Sequence, residues 1–445
     1  MPSRKCRLAD RMRSIVLKRA VLSALHMQPD FSNLELLRNT SDRGMRGFFR
    51  WLDQSGMALY LLWRLQQCGE LEHLPRAFRV QLERRMDANR KRTELMLVEC
   101  GRVSECLQKK GIRHAVLKGI TLVPDFSPAL GLRHQSDIDF LIPAESIGQA
   151  RAAIFECGYL FERNPMSGEF NFSAPLTRLP SVADDIYQTD YHKQVELHTS
   201  IWDDMDCVCL EPPGDCIGRA RMREIGGLTL PTLASPDAFL MQTLHAFRHF
   251  LSSWTRVSWL WEIHYCVITQ NANTATWAAI AQRGGDDPVM KNAVGLILRV
   301  TNQVFGTPLP QALREWCIET LPEPIECWAA HFGTRWALCG MSGSKLTLLI
   351  HKQFIRNPKL WKPYVWKRMI PLRSKRSLGK IDSAHVALRV RFMLGKGASQ
   401  ARRLAFHAGT LISLPLEVSR WQYALYRARS RGRALMTERA LRREM

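Results

Sequence analysis

Asp137 and Asp139 flank Ile138 in the run Asp137-Ile138-Asp139-Phe140-Leu141-Ile142, which has the length and apolar content of a buried strand. Side chains alternate along a strand, so both carboxylates project to one face while Ile138 points to the core. Two carboxylates side by side repel each other unless a cation lies between them, and hard oxygen ligands suit Mg²⁺ or Mn²⁺. The plainer alternative is that one Asp caps the strand and the other pairs with Arg133. A cation site needs a third ligand, and Glu196 is the candidate. In Val195-Glu196-Leu197-His198 the apolar residues face one way, Glu196 and His198 the other, so a strand beside the Asp-x-Asp strand can aim Glu196 at the same point. His245 and His249 are one helical turn apart, but Ala246 and Phe247 stand where a His-Glu-x-x-His zinc motif needs its Glu, so they read as structural or substrate-facing.

The elements that must position these residues are legible in order. Apolar spacing of three and four predicts helices over 15–28 and 45–68, and a longer one from about Pro75 to Lys110 that stops at Gly111. That helix delivers the chain into a first short strand, His114 to Leu117, ending in Lys118-Gly119. Pro143 opens a helix that closes at Gly158, followed by strand-like Tyr159 to Glu162, so the segment reads as a small α/β unit. Asn164 to Asp185 reads as irregular, and a hairpin is expected around His192-Lys193-Gln194. Ser235 is an N-cap candidate with Pro236 at the first helical position, and from there to about Gly340 the pattern is helical.

Composition excludes several classes. The chain has 445 residues, 46% hydrophobic and 23% charged, as in a folded globular protein rather than a disordered one. No run reaches the roughly 18 apolar residues that a membrane span requires. The basic N-terminus has charges interrupting any signal-peptide core. Twelve cysteines lack Cys-x-x-Cys spacing, which suggests reduced thiols in a cytoplasmic protein; Cys207, Cys209 and Cys216 lack a fourth metal ligand at a recognised spacing. The net charge of +22 is lopsided: 24 Lys+Arg against four acids lie between Lys345 and the end. Basic residues interleaved with Trp, Tyr and Phe suit nucleic acid, an anionic membrane surface at which the protein would be peripheral, or simply a solvated helical face.

Taken in order, these features resemble the uncharacterised nucleotidyltransferase family of the polymerase-β-like nucleotidyltransferase superfamily. The resemblance rests on Gly111-Ile112, Val116-Leu117-Lys118-Gly119, Arg133 before Asp137-Ile138-Asp139, Val195-Glu196-Leu197-His198, and a helical stretch with His245, Trp254, Arg256, Trp259 and Glu262. It departs from the superfamily in having Lys118-Gly119-Ile120 where Gly-Ser is common, and Glu262 where Asp is commoner. The resemblance implies an α+β fold, mostly helical, with a small mixed-sheet core: an N-terminal helical region over 1–110, the nucleotidyltransferase core over 111–230, a C-terminal helical domain over 231–344 and a basic helical tail over 345–445. It implies transfer of a nucleoside monophosphate from a nucleoside triphosphate to a hydroxyl of a small molecule, peptide or protein by a two-metal mechanism. Asp137, Asp139 and Glu196 would be the catalytic metal ligands. Lys118, Gly119 and Arg133 would bind the nucleotide, the turn at Gly119 leading into a helix with free N–H groups; His198, His245 and His249 would be candidates to face the substrate. Two other readings share these residues: a non-catalytic scaffold tethered to nucleic acid or membrane by its tail, and a toxin-antitoxin component that modifies a partner.

Overall fold

The computed structural model describes residues 4–175, 186–189, 193–202, 207–211, 214–252, 256–339, 345–369, 401 and 404–430. The fold is α+β and mostly helical around one seven-stranded mixed sheet. Helix α1 is Arg4–Ala24, and two further helices, α2 (Asp42–Ser55) and α3 (Ala58–Gln67), replace the single helix expected over 45–68. The break has a local cause. Gly56 adopts φ +74°, which favours glycine, and a Cβ there would lie 2.5 Å from Ser258 Oγ.

Helix α4, Arg76–Lys109, runs 34 residues and ends as its sequence demands. Gly111 takes φ +68°, its N–H bonds to the Gln108 carbonyl at 2.8 Å, and the Ile112 N–H bonds to the Leu107 carbonyl at 3.0 Å, the Schellman pattern. The chain then enters strand β1 (Ala115–Leu117), antiparallel to β2 (Ile138–Leu141). Helix α5 is Ile147–Glu156, and a hairpin follows, β3 (Leu160–Met166) and β4 (Glu169–Ser173). Strand β5 is Gln194–His198; β6 (Arg221–Ile225) and β7 (Leu228–Thr232) form a second hairpin. The sheet order is β3-β4-β5-β2-β1-β7-β6, with β2 parallel to β5 and β1 parallel to β7.

Two expectations fail here. The stretch over 164–185 contains β4, which pairs antiparallel with β5. The hairpin expected at His192 falls partly outside the described residues; residues 186–189 are turn and bend, and β5 takes β2 and β4 as its neighbours.

Alternation assigns each sheet face to a different layer. Val116, Ile138, Phe140, Val195 and Leu197 pack against Met96, Cys100, Val103 and Leu107 of α4 and Ala150, Ala153 and Ile154 of α5. Ala115, Leu117 and Leu141 face the larger helical core. That core holds α6 (Ser235–Leu251), α7 (Val257–Thr269), α8 (Thr274–Gly284) and α9 (Pro288–Phe305), with a later helix at Glu323–Cys339. The expected N-cap shifts by one residue, since Ala234 caps and Ser235 is the first helical residue. Beyond Lys345, Leu346, Ile350, Phe354, Trp421 and Ala424 are buried in the same core, so the described parts of the basic segment pack onto the body. Cys106 and Cys157, near the C-terminal ends of α4 and α5, lie side by side with their Cα atoms 7.0 Å apart.

Candidate active site

Asp139 and Glu196 stand directly opposite each other on the parallel strands β2 and β5, and both point toward the helical core because Ile138, Phe140, Val195 and Leu197 take the other face. His198, two residues on, joins them. Ligand atoms of Asp139, Glu196 and His198 all lie within 4.8 Å of one another, and no other such group of three metal-ligating side chains occurs among the described residues. His198 Nε2 is 2.9 Å from Asp139 Oδ1 and 3.5 Å from Glu196 Oε2. Asp137 lies outside this group, but its carboxyl is near enough to be perturbed by both Asp139 and Glu196. His198, expected as a substrate-facing residue, lies within this group, and Asp137 lies beside it.

The electrostatics are those of acids crowded away from water. Burial first, then the charges of Asp139 and Glu196, push the Asp137 carboxyl up to about 7. Burial also works against charge on Asp139, but Lys118 and His198 hold it well below the usual carboxylate range. Burial would lower His198, yet its hydrogen bonds to Asp139 and Glu196 raise it to about 9. Lys118 Nζ lies 3.2 Å from Asp139 Oδ1, so an ammonium and an imidazolium both rest on one carboxylate oxygen. The donor set fits a divalent cation: two carboxylates and an imidazole, in a cluster whose negative charge is already drawing positive groups inward. The imidazole makes Mn²⁺ as suitable as Mg²⁺.

A pH dependence follows. Asp137 and His198 both keep protons in the folded chain that the unfolded chain loses at lower pH. The ion-free protein is therefore expected to lose stability as pH rises, through Asp137 between 3.8 and about 7 and through His198 between 6.5 and about 9. Because a coordinating His must be neutral, added Mg²⁺ or Mn²⁺ should restore stability most at the alkaline end. Melting temperatures measured across this range in chelator and in excess metal check this, and a flat profile in chelator contradicts it.

The turn after β1 is strained. Lys118 adopts φ 53°, ψ −159°, a region open mainly to glycine, and Gly119 follows at φ +50°. A Cβ on Gly119 would come within 1.9 Å of Gln135 Oε1, and Gln135 Nε2 donates to the Asp137 carbonyl at 2.5 Å. Gly119→Ala is thus expected to cost about 1–3 kcal/mol, by strain plus displacement of the glutamine that holds Asp137. Chemical denaturation reads this, and adding Gln135→Ala should not recover it, because the φ penalty stays. Only a single 3₁₀ turn, Gly119–Leu122, follows the strand, in place of the expected helix.

The protein-family comparison now bears on these residues. A family model described as uncharacterised nucleotidyltransferase matches residues 41–306. The chain belongs to this family. The match begins just before α2 and ends after α9, enclosing the whole sheet and Asp137, Asp139, Glu196 and His198. No curated protein matches the chain. A solved structure titled ANT(2″)-Ia in complex with adenylyl-2″-tobramycin is similar at 14% identity, over 43% of this chain and 98% of that one, with a TM-score of 0.30.

Around the acids of this nucleotidyltransferase sits a ring of residues that its sequence did not announce. Asn171 Nδ2 on β4 donates to Glu196 Oε1 at 2.9 Å, and Glu169 stands opposite His198. Burial, then Glu196, raises the Glu169 carboxyl, while Arg248 on α6 lies 3.9 Å from it. The signal was present in Glu169-Phe170-Asn171-Phe172-Ser173, a strict polar–aromatic alternation. Arg133 Nε bonds to Glu262 Oε1 at 3.0 Å, and Asp137 and Asp139 are near enough to act on its charge. His245 and His249 pack edge to face at 4.5 Å, with Trp259 against both rings at 4.8 and 4.6 Å. Burial and the charges of Lys118 and His249 keep His245 neutral. Trp254 lies outside the described residues.

Proposed function

We propose that this nucleotidyltransferase moves a nucleoside monophosphate from a nucleoside triphosphate to a hydroxyl of a small molecule, peptide or protein, using Mg²⁺ or Mn²⁺ held by Asp139, Glu196 and His198 with Asp137 alongside. The observation that carries this reading is the convergence of three ligands within 4.8 Å on adjacent parallel strands, inside a family of nucleotidyltransferases. In the reaction the acceptor oxygen bonds to the α-phosphorus, the bond to the pyrophosphate oxygen breaks, and the acceptor's proton leaves to water. Two bound divalent ions would stabilise the negative charge on the attacking and leaving oxygens. Asp139 fixes the centre of the cluster. Glu196 is oriented by Asn171, which spares it from rotating away. Lys118 is the ammonium nearest the acids, placed to neutralise the triphosphate, and the guanidinium of Arg133 is anchored through Nε by Glu262 beside it.

The test is incubation of purified protein with labelled ATP, CTP, GTP or UTP, Mg²⁺ and cell extract. Label transfer or pyrophosphate release supports the reading; its absence with all four nucleotides removes it. A second reading, a non-catalytic scaffold, draws on Lys118 and His198 already sitting on Asp139, as in a site that neutralises its acids internally. Binding of Mg²⁺-nucleotide by calorimetry separates the two, since a scaffold of that kind has no need of it.

A further inference from the structure

The helix over 404–430 buries its acid beside Trp421 and Ala424 on the inner side, and it also carries a stripe of large apolar and aromatic side chains on the outer side. Glu417 is buried, accepting from Arg335 Nη1 of the helix Glu323–Cys339 at 2.8 Å, and Trp421 is buried one turn on. On the opposite side Ile412 is 82% exposed, Leu416 55%, Tyr423 62% and Tyr426 66%. These positions recur at helical spacing over about 21 Å of axis. A helix that merely covers a core keeps polar residues along the whole of its outer side, without such a stripe.

The charges on this face have one sign. Glu417 is the helix's sole acid among its described residues, whereas Arg420 and Arg427 are exposed, Arg420 reaching back to Glu417 at 3.5 Å and Arg427 lying over the Tyr423 ring at 5.9 Å. The segment from Lys345 onward carries a net +20. A third exposed aromatic sits on a neighbouring element. Trp366, 65% exposed between exposed Lys362 and Lys367, lies on helix Trp361–Met369, and Lys345 joins that helix to the 404–430 helix by reaching the Arg368 carbonyl and His407 Nδ1.

We propose that this face docks on an anionic lipid surface, with Ile412, Leu416, Tyr423 and Tyr426 entering the interfacial layer and Arg420 and Arg427 meeting lipid phosphates. Tyrosine and tryptophan favour the headgroup level, aliphatic side chains the acyl boundary beneath it, and arginine the phosphates. Nucleic acid would satisfy the arginines but offers nothing to an Ile412 exposed so fully. A second copy of the chain would set two strongly basic segments against each other. The surface carries no residue of the candidate active site, so the proposal stands or falls apart from the transfer reaction.

The test is co-sedimentation of the full-length protein with vesicles of phosphatidylcholine, with and without phosphatidylglycerol. Binding to the phosphatidylglycerol vesicles alone, weakened by salt, is expected. Ile412→Asp with Leu416→Asp should weaken it about tenfold or more at an unchanged melting temperature, because both side chains are exposed. Absence of binding, equal binding to neutral vesicles, or equal binding by the double variant overturns the proposal. So does a face that instead mediates dimerisation or RNA binding, abolished by the double variant, without lipid association.

Discussion

Asp139→Asn is expected to lower nucleotidyl transfer by about 10³-fold or more, roughly 4 kcal/mol of transition-state stabilisation, while leaving a folded protein. Asp139 is 3% exposed, sits at the centre of the cluster, and receives both Lys118 Nζ and His198 Nε2 on Oδ1. Asparagine keeps the volume and one acceptor oxygen but removes the charge proposed to hold the cation. Stability should change by only about 1–2 kcal/mol, because a weakened pair of hydrogen bonds is offset by relief of the repulsion felt by Asp137. Pyrophosphate release, calorimetric metal binding and thermal melting read the three effects separately. Wild-type turnover in this variant would remove the metal assignment. The same assay ranks the other ligands: His198→Ala should cost more metal affinity than Asp137→Asn if the group within 4.8 Å holds the ion, and less if the three carboxylates do.

Local pattern made β1, β2 and β5 legible, because each is a short apolar run bounded by polar residues. The facing of Asp137, Asp139 and Glu196 followed from two-residue periodicity alone. The structure adds a register in which Asp139 and Glu196 are direct neighbours. What escaped the sequence was non-local. Strand β4 has only five residues and its partner β5 begins 21 positions after β4 ends, so nothing near it declared a sheet. His198 alternates with Glu196, but alternation cannot say whether a side chain is a ligand or a contact for substrate. The split at Gly56 is local, a C-cap with φ +74°, but helical spacing continues across it undisturbed and hides it. Lys118-Gly119 was visible as a turn, yet neither the positive φ of Lys118 nor the close approach of Gln135 to Gly119 is encoded by propensity.

Arg133 is the clearest case of a partner hidden by distance along the chain, and it carries the second large effect. Glu262 Oε1 accepts from Arg133 Nε at 3.0 Å and from the Tyr60 hydroxyl at 3.2 Å, and Oε2 accepts from Gln242 Nε2 at 2.6 Å. The carboxylate has no exposure at all, and it ties α3, α6 and α7 to the loop that leads into Asp137. Burial raises its pKa, with Arg133 and Tyr60 opposing. Glu262→Leu removes one member of a buried pair and leaves Arg133 with an uncompensated charge, so a loss of about 3–5 kcal/mol is expected. Glu262→Gln, which keeps the acceptor oxygen and the shape, should lose less. The double variant Arg133→Leu with Glu262→Leu should be more stable than Glu262→Leu alone, because the stranded charge is gone; urea denaturation of the wild type, each single leucine variant and the double variant gives the coupling energy directly. If the double variant is no more stable than the single one, the cost lies in packing rather than charge, and the pair is not what fixes the loop. If it is more stable yet fails to transfer nucleotide, the ion pair is retained for the site: Arg133 is held in place by an acid on the far side so that its remaining guanidinium nitrogens stay beside the acids, where a triphosphate would arrive.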